Sequence, residues 1–292
     1  MDNLIAKADT LLEALPYMQR FRGETFVIKY GGSFMDSTDP AVRSGVARDV
    51  VFIEAVGINP VIVHGGGKAI TQALEQAGVE TRFEQGYRVT TPKSVEVVEQ
   101  VLSREINPGI VGMINELGGK ARGFSGTEIF RCKPFRPLSQ AGEPLDIGLV
   151  GEVTGVNTAP LLECIAQDIT PVISPTATGE DGQIYNCNAD VAAGQAAIAL
   201  GPKRLVYMSD VPGLLQNPDD PASVISHLPV AEVKALKAGG VISKGMIPKV
   251  DSAVTAVATG VEKVFFIDGR LSHSLLLEIF TDRGVGTEIV ER

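Results

Sequence analysis

The sequence lacks most of the features by which secreted, zinc-binding and membrane-spanning proteins are recognised. Its three cysteines, Cys132, Cys164 and Cys187, are odd in number and widely spaced, and no CxxC pair occurs. This pattern argues against a disulfide framework, a structural zinc site and a redox dithiol. No uncharged apolar run approaches the roughly 18 residues of a membrane span, and the first residues do not follow the pattern of a signal peptide. We therefore expect a soluble, unprocessed protein of the cytoplasm.

Positive charge is also scarce. With 26 Lys and Arg against 35 Asp and Glu, the formal net charge is -9, and no local block of basic residues reverses it. This balance opposes attraction to phosphate backbones or anionic lipid, so neither nucleic acid nor a membrane is an expected partner. What the chain does have is 44% hydrophobic residues and 32 glycines over 292 residues, enough for a substantial core with many tight turns.

Short apolar segments rich in β-branched residues alternate with longer segments of helical periodicity. The segments of strand length are residues 25–29, 60–64, 170–174, 204–209 and 263–268. The helical segments are residues 40–56, 69–77, 94–102, 189–200 and 230–238. This alternation predicts a mostly parallel α/β sheet. Ligands of such sheets bind beyond the carboxyl ends of the strands, so the site should lie on the turns that follow them.

Residues 122–153 depart from this alternation. They are rich in Gly, Pro and polar residues, and their short β-like segments predict hairpins inserted between the two halves of the chain. No linker, repeat or low-complexity tract separates the halves. We place the boundary near residue 183.

The first eighteen residues carry an apolar stripe. The stripe, which follows the four-three spacing of one helical face, consists of Leu4, Ala8, Leu11, Leu15 and Met18. A helix is therefore predicted here, and Pro16 should end or kink it. Such a stripe packs either on its own domain or on another subunit, and the spacing alone favours neither.

Two predicted strands end in glycine-rich turns beside a cation. The first ends in Lys29-Tyr30-Gly31-Gly32, and the second in His64-Gly65-Gly66-Gly67-Lys68 at the start of a helix. Glycine N–H groups form anion-binding nests and lysine supplies a point charge, so phosphate could bind here, although each turn alone is also an ordinary strand end. Neither standard nucleotide motif fits: Ile70 breaks G-x-G-x-x-G/A, and Ile62 with Ala69 breaks G-x-x-x-x-G-K-[ST].

Further polar residues have chemistry suited to ligands. Arg88 could hold a planar carboxylate through two parallel hydrogen bonds, but a lone arginine also serves in surface ion pairs. Asn188 and Asp190 precede a small-residue helix, where capping is the alternative role. We interpret His64 as a structural residue that orients its glycine loop. No cluster of His, Cys, Asp and Glu has metal-ligand spacing, so any Mg²⁺ would arrive bound to nucleotide phosphates.

In order and spacing, these segments together resemble the amino acid kinase family, and the match spans nearly the whole chain. Besides the two glycine turns, the matching segments are residues 86–90, 148–153, 186–190 and 245–250. The resemblance implies an open αβα sandwich with a mostly parallel central sheet, two lobes and β-hairpin insertions. It also implies a kinked oligomerisation helix over residues 1–20, an amino-acid lobe over 21–182 and an ATP-binding lobe over 183–292.

The resemblance assigns roles to individual residues. Lys29 and Lys249 would stabilise the transferring phosphoryl group from opposite sides, with Asp190 holding both ammonium groups. The residues implied to bind the amino acid are Gly66, Gly67, Arg88, Asn186 and Asn188. The residues implied to line the nucleotide site are Gly31, Gly32, Ser209, Asp210, Val211, Pro212, Gly213, Leu214, Leu215, Val241, Ile242 and Ser243.

Within the family, the chain resembles the members that phosphorylate the γ-carboxylate of N-acetyl-L-glutamate with ATP and Mg²⁺, the second step of arginine biosynthesis. Its N-terminal helix is similar to that of the arginine-sensitive members, which interlace this helix between dimers to form a homohexamer. The similarity continues in residues 273–278 and 284–287. It implies L-arginine as an effector, bound near Lys203, His273, Glu278, Gly284 and Gly286.

Three alternatives compete with this interpretation. Another kinase of the same fold, of the glutamate 5-kinase, aspartokinase or carbamate kinase type, is disfavoured by residues 86–90 and 148–153. A catalytically silent nucleotide sensor is disfavoured by the retention of both lysines and Asp190, because binding ATP alone would not need a cation on each side of the γ-phosphate. A Rossmann-type dehydrogenase is disfavoured by the failed glycine fingerprint.

Overall fold

An eight-stranded sheet forms the centre of the protein. The computed structural model describes residues 2–32, 35, 37, 39–139, 142–243 and 245–292. In chain order the strands are β1 (Thr25–Tyr30), β2 (Asn59–His64), β3 (Phe83–Glu84), β4 (Tyr87–Arg88), β5 (Ala121–Phe124), β6 (Phe130–Pro134), β7 (Val150–Val156), β8 (Thr170–Ile173), β9 (Thr176–Gly179), β10 (Ile184–Cys187), β11 (Arg204–Ser209), β12 (His227–Pro229), β13 (Lys263–Asp268) and β14 (Thr287–Val290). The strand order of the central sheet is β12-β14-β13-β11-β1-β2-β8-β5.

β1 lies inside this sheet and joins the two halves of the chain. It pairs in parallel with β2 on one side and with β11 on the other, so Lys29 stands between Val63 and Tyr207. Among the described strands of this sheet, only β13 and β14 pair in the antiparallel direction. The predicted parallel α/β sheet is therefore confirmed, and the carboxyl ends of β1, β2 and β11 meet at one edge.

Helices connect the strands. In the described part of the chain, the α-helices are α1 (Asp2–Phe21), α2 (Pro40–Ala55), α3 (Gly67–Gln76), α4 (Pro92–Glu99), α5 (Asn107–Glu116), α6 (Gly126–Ile129), α7 (Ala159–Ile165), α8 (Ala189–Leu200), α9 (Val230–Ala238), α10 (Met246–Ala258) and α11 (Ser274–Phe280). A π-helix, Gln100–Ile106, joins α4 to α5, so the helix predicted at residues 94–102 continues well beyond its predicted end.

Alternate residues of the central strands face two separate hydrophobic cores. On β1, Val27 belongs to one core, whereas Phe26 and Ile28 belong to the other. The first core is covered by α8 and α10, and the second by α2, α5 and α11. Because strand side chains alternate between faces, this division places helices on both sides of the sheet. The predicted αβα sandwich is confirmed.

The predicted hairpin insertion is a closed barrel. β6 and β7 pair in the antiparallel direction, but β7 also pairs in parallel with β10, and β6 with β9. Antiparallel pairing of β9 with β10 completes the barrel. β5 overlaps the start of the segment assigned to hairpins and instead forms the edge of the central sheet. A simple hairpin does occur at β3–β4, where Gln85 and Gly86 both have positive φ, as a tight two-residue turn requires.

Among the side chains of α1 that the structure describes, the buried ones lie towards its end. Ala14, Tyr17 and Met18 pack against the second core. The exposed apolar side chains are Ile5 (54%), Leu11 (62%), Leu12 (64%) and Leu15 (42%). The helix does not end at Pro16, which lies inside it, and the side chain of Leu4 falls outside the described residues. Over the ranges given above, no helix combines the length and the apolar character needed to cross a membrane.

Candidate active site

Two lysines converge on one buried carboxylate. Lys29 Nζ lies 3.0 Å from Asp190 Oδ1, and Lys249 Nζ lies 2.5 Å from Asp190 Oδ2. The side chains of Lys29, Asp190 and Lys249 are 10%, 11% and 18% exposed. The structure therefore brings together the three residues to which the family resemblance assigned a catalytic role, in a place with little access to water.

Burial and charge act in opposite directions on this cluster. Burial alone would raise the pKa of Asp190, but the charges of Lys29 and Lys249 outweigh it and lower that pKa to about 2. Burial lowers the pKa of Lys249, and the charge of Asp190 opposes this change. The carboxylate is thus ionised at neutral pH and offsets the repulsion between the ammonium groups. With both lysines protonated, the cluster keeps a net positive charge suited to a phosphate.

Three elements deliver these side chains to one point. Lys29 lies at the carboxyl end of β1, Asp190 in the first turn of α8 and Lys249 in the first turn of α10. Asn188 caps α8, since its side-chain oxygen accepts hydrogen bonds from the N–H groups of Asp190 (2.8 Å) and Val191 (3.2 Å). Capping and a place in the site are compatible, because Asn188 also lines the cavity beside the cluster.

Two glycines have no room for a side chain beside the cluster. A Cβ on Gly31 would lie 2.5 Å from Lys29 Nζ, so the ammonium group occupies the space that a side chain would need. A Cβ on Gly66 would lie 2.5 Å from Ile106 Cδ1. Gly66 is the residue before α3, where backbone N–H groups and the helix dipole favour an anion. Gly31 and Gly66, one from each glycine turn, therefore both lie beside the cluster of Lys29 and Asp190.

A cavity of about 260 Å³ opens beside the cluster, and Arg88 forms part of its wall. The guanidinium of Arg88 donates to Gly67 O (3.0 Å), Thr71 Oγ1 (2.8 Å) and Thr81 Oγ1 (3.4 Å), and it lies 4.7 Å from the ring centroid of Phe83. Of the five N–H groups of an arginine, two remain for a ligand in the described structure. The residues predicted to bind the amino acid all line this cavity: Gly66, Gly67, Arg88, Asn186 and Asn188.

A chain of hydrogen bonds links the polar groups of this cavity. Asn186 Nδ2 donates to Thr90 Oγ1 (3.2 Å), and Thr90 Oγ1 donates to the backbone oxygen of Arg88 (2.9 Å). Burial lowers the pKa of Arg88, which means that its charge is poorly solvated. A carboxylate bound here would therefore meet a fixed and partly desolvated cation.

A second cavity, of about 530 Å³, meets the first at the cluster. Lys29, Gly31 and Gly32 line both cavities, and Lys249 lines the second. Ten residues predicted for the nucleotide line it: Gly31, Gly32, Ser209, Asp210, Val211, Gly213, Leu214, Leu215, Val241 and Ser243. Pro212 and Ile242 are not part of this lining, and Ile242 is buried in the first core. In the described structure no group of His, Cys, Asp and Glu could by itself hold a metal ion.

A third cavity, of about 290 Å³, lies where α1 meets the rest of the protein. α1 contributes Tyr17, Arg20 and Phe21 to it. Glu278 also lines it and accepts hydrogen bonds from the N–H groups of Val285 (2.7 Å) and Gly286 (3.1 Å). Burial raises the pKa of Glu278. The cavity thus combines buried carboxylate with arginine side chains.

Three of the five residues predicted for the effector, Glu278, Gly284 and Gly286, line this third cavity. The other two are engaged elsewhere. Lys203 Nζ lies 2.8 Å from Glu262, and His273 Nδ1 lies 2.6 Å from Asp49.

Sequence reasoning missed several residues that support the site. Tyr207 OH lies 2.9 Å from Ser252 Oγ and 3.2 Å from the backbone oxygen of Asp190, so this hydroxyl ties α8 to α10. Thr90 and Phe83 support Arg88 as described above. Thr90 was visible as part of the matching segment 86–90, but no local pattern distinguishes Tyr207 from other core residues of β11.

The chain is similar to proteins of one family over nearly its whole length. The sequence profile of the amino acid kinase family matches residues 24–268. A curated acetylglutamate kinase from Akkermansia muciniphila is 49% identical to this chain, over 98% of this chain and 96% of the relative.

Solved structures share the fold. The N-acetylglutamate synthase of Neisseria gonorrhoeae complexed with coenzyme A and N-acetyl-glutamate superposes with a TM-score of 0.83 at 22% identity, over 98% of this chain and 63% of the synthase. The same synthase complexed with coenzyme A and L-arginine superposes with a TM-score of 0.79 at 23% identity, over 98% of this chain and 65% of the synthase. With the profile match and the 49% identical relative, these findings establish that the chain belongs to the amino acid kinase family.

Proposed function

We propose that this protein transfers the γ-phosphoryl group of ATP to the γ-carboxylate of N-acetyl-L-glutamate, which gives N-acetyl-L-glutamyl 5-phosphate and ADP in the second step of arginine biosynthesis. The observation that carries this proposal is the meeting of two cavities at the cluster of Lys29, Asp190 and Lys249. Kinship with acetylglutamate kinases at 49% identity supports the choice of substrate.

The chemistry of the acceptor explains why the reaction needs no general base. A γ-carboxylate has a pKa of about 4.3 and is already ionised at neutral pH. One of its oxygens attacks the γ-phosphorus while the bond from that phosphorus to the β,γ-bridging oxygen breaks. The barrier is therefore electrostatic, since an anion approaches a polyanion, and the charges of Lys29 and Lys249 oppose it as charge spreads over the transferring group.

The cavity of about 260 Å³ that contains Arg88, called the amino-acid cavity from here on, suits a dicarboxylate. We assign Arg88 to the α-carboxylate, because its guanidinium is held in place by three hydrogen bonds and keeps one N–H at Nε and one at Nη1 for an anion. Asn186 offers an amide to the acetamido group, and the glycine N–H groups at the start of α3 lie beside the reacting end. Acetylation of the amine removes a nucleophile that would otherwise attack the acyl phosphate.

The second cavity, of about 530 Å³, is called the nucleotide cavity from here on. We assign it to ATP with a magnesium ion carried on the phosphates. Its described lining holds one carboxylate, Asp210, which is too few ligands for a protein-held ion. Magnesium bound to the phosphates would neutralise part of their charge. Lys29 would approach from β1 and Lys249 from α10.

An assay of ADP release across four acceptors tests the function. N-acetyl-L-glutamate, L-glutamate, L-aspartate and carbamate would be compared at equal MgATP. We expect turnover with N-acetyl-L-glutamate to exceed the others by at least about 10², the discrimination available when a site built for polar groups leaves them unpaired. Preference for another acceptor would indicate a different kinase of the family, and no turnover with any acceptor would indicate a nucleotide sensor.

We further propose that L-arginine inhibits the enzyme by binding in the third cavity. Arginine carries a guanidinium, an ammonium and a carboxylate, and the cavity offers both signs of charge: Glu278, Asp282 and Glu288 against Arg20, Arg204, Lys263 and Arg283. Glu278 is the proposed partner of the guanidinium. Because α1 forms one wall, the effector would act by binding unequally to two arrangements of α1 relative to the body.

The exposed apolar part of α1 leads us to propose a homohexamer, with α1 interlaced between dimers. Four apolar side chains of 42% exposure or more on one helix are an unfavourable surface for a monomer.

The three free, buried cysteines fit the reducing cytoplasm, where we place the protein.

Deleting residues 1–18 tests both proposals. We expect active dimers that respond weakly to arginine, and Glu278→Gln should weaken the response while leaving the oligomer intact. Sedimentation and activity would be measured with and without L-arginine. A full-length dimer would refute the hexamer, and unchanged inhibition of the truncated enzyme would refute the arginine site at α1.

A further inference from the structure

We propose that His64 and Asn107 form a buried relay that fixes the orientation of the Gly65–Gly66 peptide, so that the Gly66 N–H faces the reacting phosphoryl group. The proposal rests on the proposed function for the identity of that group. In this relay His64 and Asn107 are positioning residues, because neither lines the amino-acid cavity that Gly65 and Gly66 line.

The amide of Asn107 determines which ring nitrogen of His64 carries the proton. Asn107 Nδ2 lies 2.9 Å from the backbone oxygen of Val172 and 3.4 Å from that of Phe124. Carbonyl oxygens only accept hydrogen bonds, so the group that faces them must be the NH₂. The same NH₂ lies 3.3 Å from His64 Nε2. Because an amide nitrogen accepts no hydrogen bond, a proton on Nε2 would point at this NH₂ without an acceptor, and Nε2 can take part in the contact only as an acceptor. A neutral ring that accepts at Nε2 carries its proton at Nδ1.

The proton at Nδ1 is used to hold the glycine turn. His64 Nδ1 lies 2.9 Å from the backbone oxygen of Gly65 and donates to it. Gly65 is also held from its other side, since its N–H donates to Tyr30 O at 2.7 Å. Gly65 is thus fixed by two hydrogen bonds at the junction of the two glycine turns.

Peptide geometry converts this contact into an orientation. The C=O and N–H of one trans peptide point in opposite directions. When His64 holds the Gly65 oxygen, the N–H of Gly66 must point away from His64. His64 is fully buried beneath the turn, whereas Gly66 lines the cavity beside Lys29 and Asp190. In the described structure the Gly66 N–H donates to no other group.

The environment keeps the ring neutral. Burial lowers the pKa of His64 to about 4, so at physiological pH the ring has one proton to donate. A second proton at Nε2 would face the NH₂ of Asn107. Asn107 is also buried, and it is the first residue of α5, directly after the π-helix. Its amide contacts the His64 ring although the two residues are 43 positions apart in the sequence.

Two substitutions at His64 separate positioning from packing. In His64→Asn the side-chain NH₂ falls near the position of Nδ1 and can still donate to Gly65 O. In His64→Gln the longer side chain places its amide near the position of Nε2 and loses that donor. We expect His64→Gln to lower kcat by roughly tenfold or more, a fraction of the 10²- to 10³-fold effect of losing a whole oxyanion donor. We expect His64→Asn to retain most of kcat at a similar loss of stability.

Nitrogen NMR of the histidine side chains supplies a readout that does not depend on turnover. In uniformly ¹⁵N-labelled protein, the resonances that disappear in His64→Asn belong to His64, and they should show a neutral ring protonated at Nδ1. Asn107→Asp replaces the donor that faces Nε2 by an acceptor. If the proton of the neutral His64 ring then moves from Nδ1 to Nε2, kcat should fall; if the ring instead gains a second proton and keeps the one at Nδ1, kcat should stay largely intact.

The results that would overturn the relay are separate from those that would overturn the function. An Nε2–H tautomer in the unaltered protein, or equal kcat in His64→Asn and His64→Gln with equal unfolding free energies, contradicts the relay. If the His64 variants do not fold, Asn107→Asp decides, and loss of kcat with Nδ1–H retained contradicts it. Absence of turnover in the unaltered protein refutes the proposed function. In that case the His64 tautomer measured by NMR is the test of the relay, because it does not depend on turnover.

Discussion

The two cavities that meet at the lysine cluster are lined by different kinds of residue. The amino-acid cavity depends on side chains that hold one another, as in the three hydrogen bonds of Arg88 and the link from Asn186 through Thr90. The nucleotide cavity is lined mostly by glycine and aliphatic residues, with Asp210 as its one described carboxylate. Specificity for the acceptor should therefore reside in individual polar groups, and recognition of the nucleotide in the shape of the loops.

The largest effect should come from the residues at the junction. Lys29→Ala and Lys249→Ala should each lower kcat by roughly 10²-fold or more and change KM far less, because both charges matter most in the transition state. Steady-state kinetics with each substrate varied in turn would measure this. Near-normal turnover in either variant would remove that lysine from the mechanism.

Asp190→Asn should also abolish most activity while leaving the fold intact. The amide is similar in shape to the carboxylate but leaves two ammonium groups without their shared counter-charge. A purely structural role at the start of α8 predicts the reverse, namely an active enzyme whose stability falls in Asp190→Ala and hardly in Asp190→Asn.

Asp190→Asn should also change how the free energy of unfolding depends on pH in the acid range. The pKa of Asp190 is lowered to about 2 in the folded state, so its ionisation stabilises the native protein above pH 4, and this contribution disappears as the pH falls towards 2. It amounts to about 2 kcal/mol on the scale of ~1.4 kcal/mol per pKa unit. The stability gap between the unaltered protein and Asp190→Asn should narrow by that amount between pH 5 and pH 2 in urea unfolding experiments.

Arg88→Lys tests the amino-acid cavity alone. A point charge on a flexible stem cannot replace a planar guanidinium that three hydrogen bonds hold in place, so KM for N-acetyl-L-glutamate should rise about tenfold with kcat less affected. KM for ATP should stay unchanged. A change confined to KM for ATP would show that the two cavities have been assigned the wrong way round.

Val211→Ala is the matched change in the nucleotide cavity and should have the smallest effect. Val211 is partly exposed and lines that cavity, so its truncation removes a small apolar contact without opening a hole in the core. We expect KM for ATP to rise less than about tenfold, in keeping with ~0.8 kcal/mol per buried CH₂. An effect on ATP as large as that of Arg88→Lys on the amino acid would contradict the contrast between the cavities.

Five of the eight strands of the central sheet were predictable because they are local features, whereas β5, β12 and β14 were not predicted. Each of the five predicted strands is a short apolar run, and the glycine turns follow two of them directly. The barrel was not predictable, because its closure depends on parallel pairing of β6 with β9 and β7 with β10, and no local pattern specifies distant partners. The π-helix was not predictable, because no sequence pattern distinguishes its turns from those of the α-helix that it continues.

The site was predictable to the extent that function follows from resemblance. The positions of Lys29, Asp190 and Lys249 came from matched segments, and the structure brings them within hydrogen-bonding distance. Asn107 and Tyr207 could not be found in this way. Each acts through a contact across the fold, and in sequence each is one polar residue among apolar neighbours.

The position of β1 inside the sheet also determines how its backbone should exchange hydrogen with solvent. Phe26, Val27 and Ile28 are completely buried, and the strand is hydrogen-bonded on both sides. Amide hydrogens of such a strand exchange only when the whole domain unfolds, whereas those of exposed loops exchange through local opening. Deuterium should therefore enter β1 last. Lys29 is attached to this protected strand, so we expect any backbone adjustment of the lysine pair during turnover to occur at Lys249, in the first turn of α10.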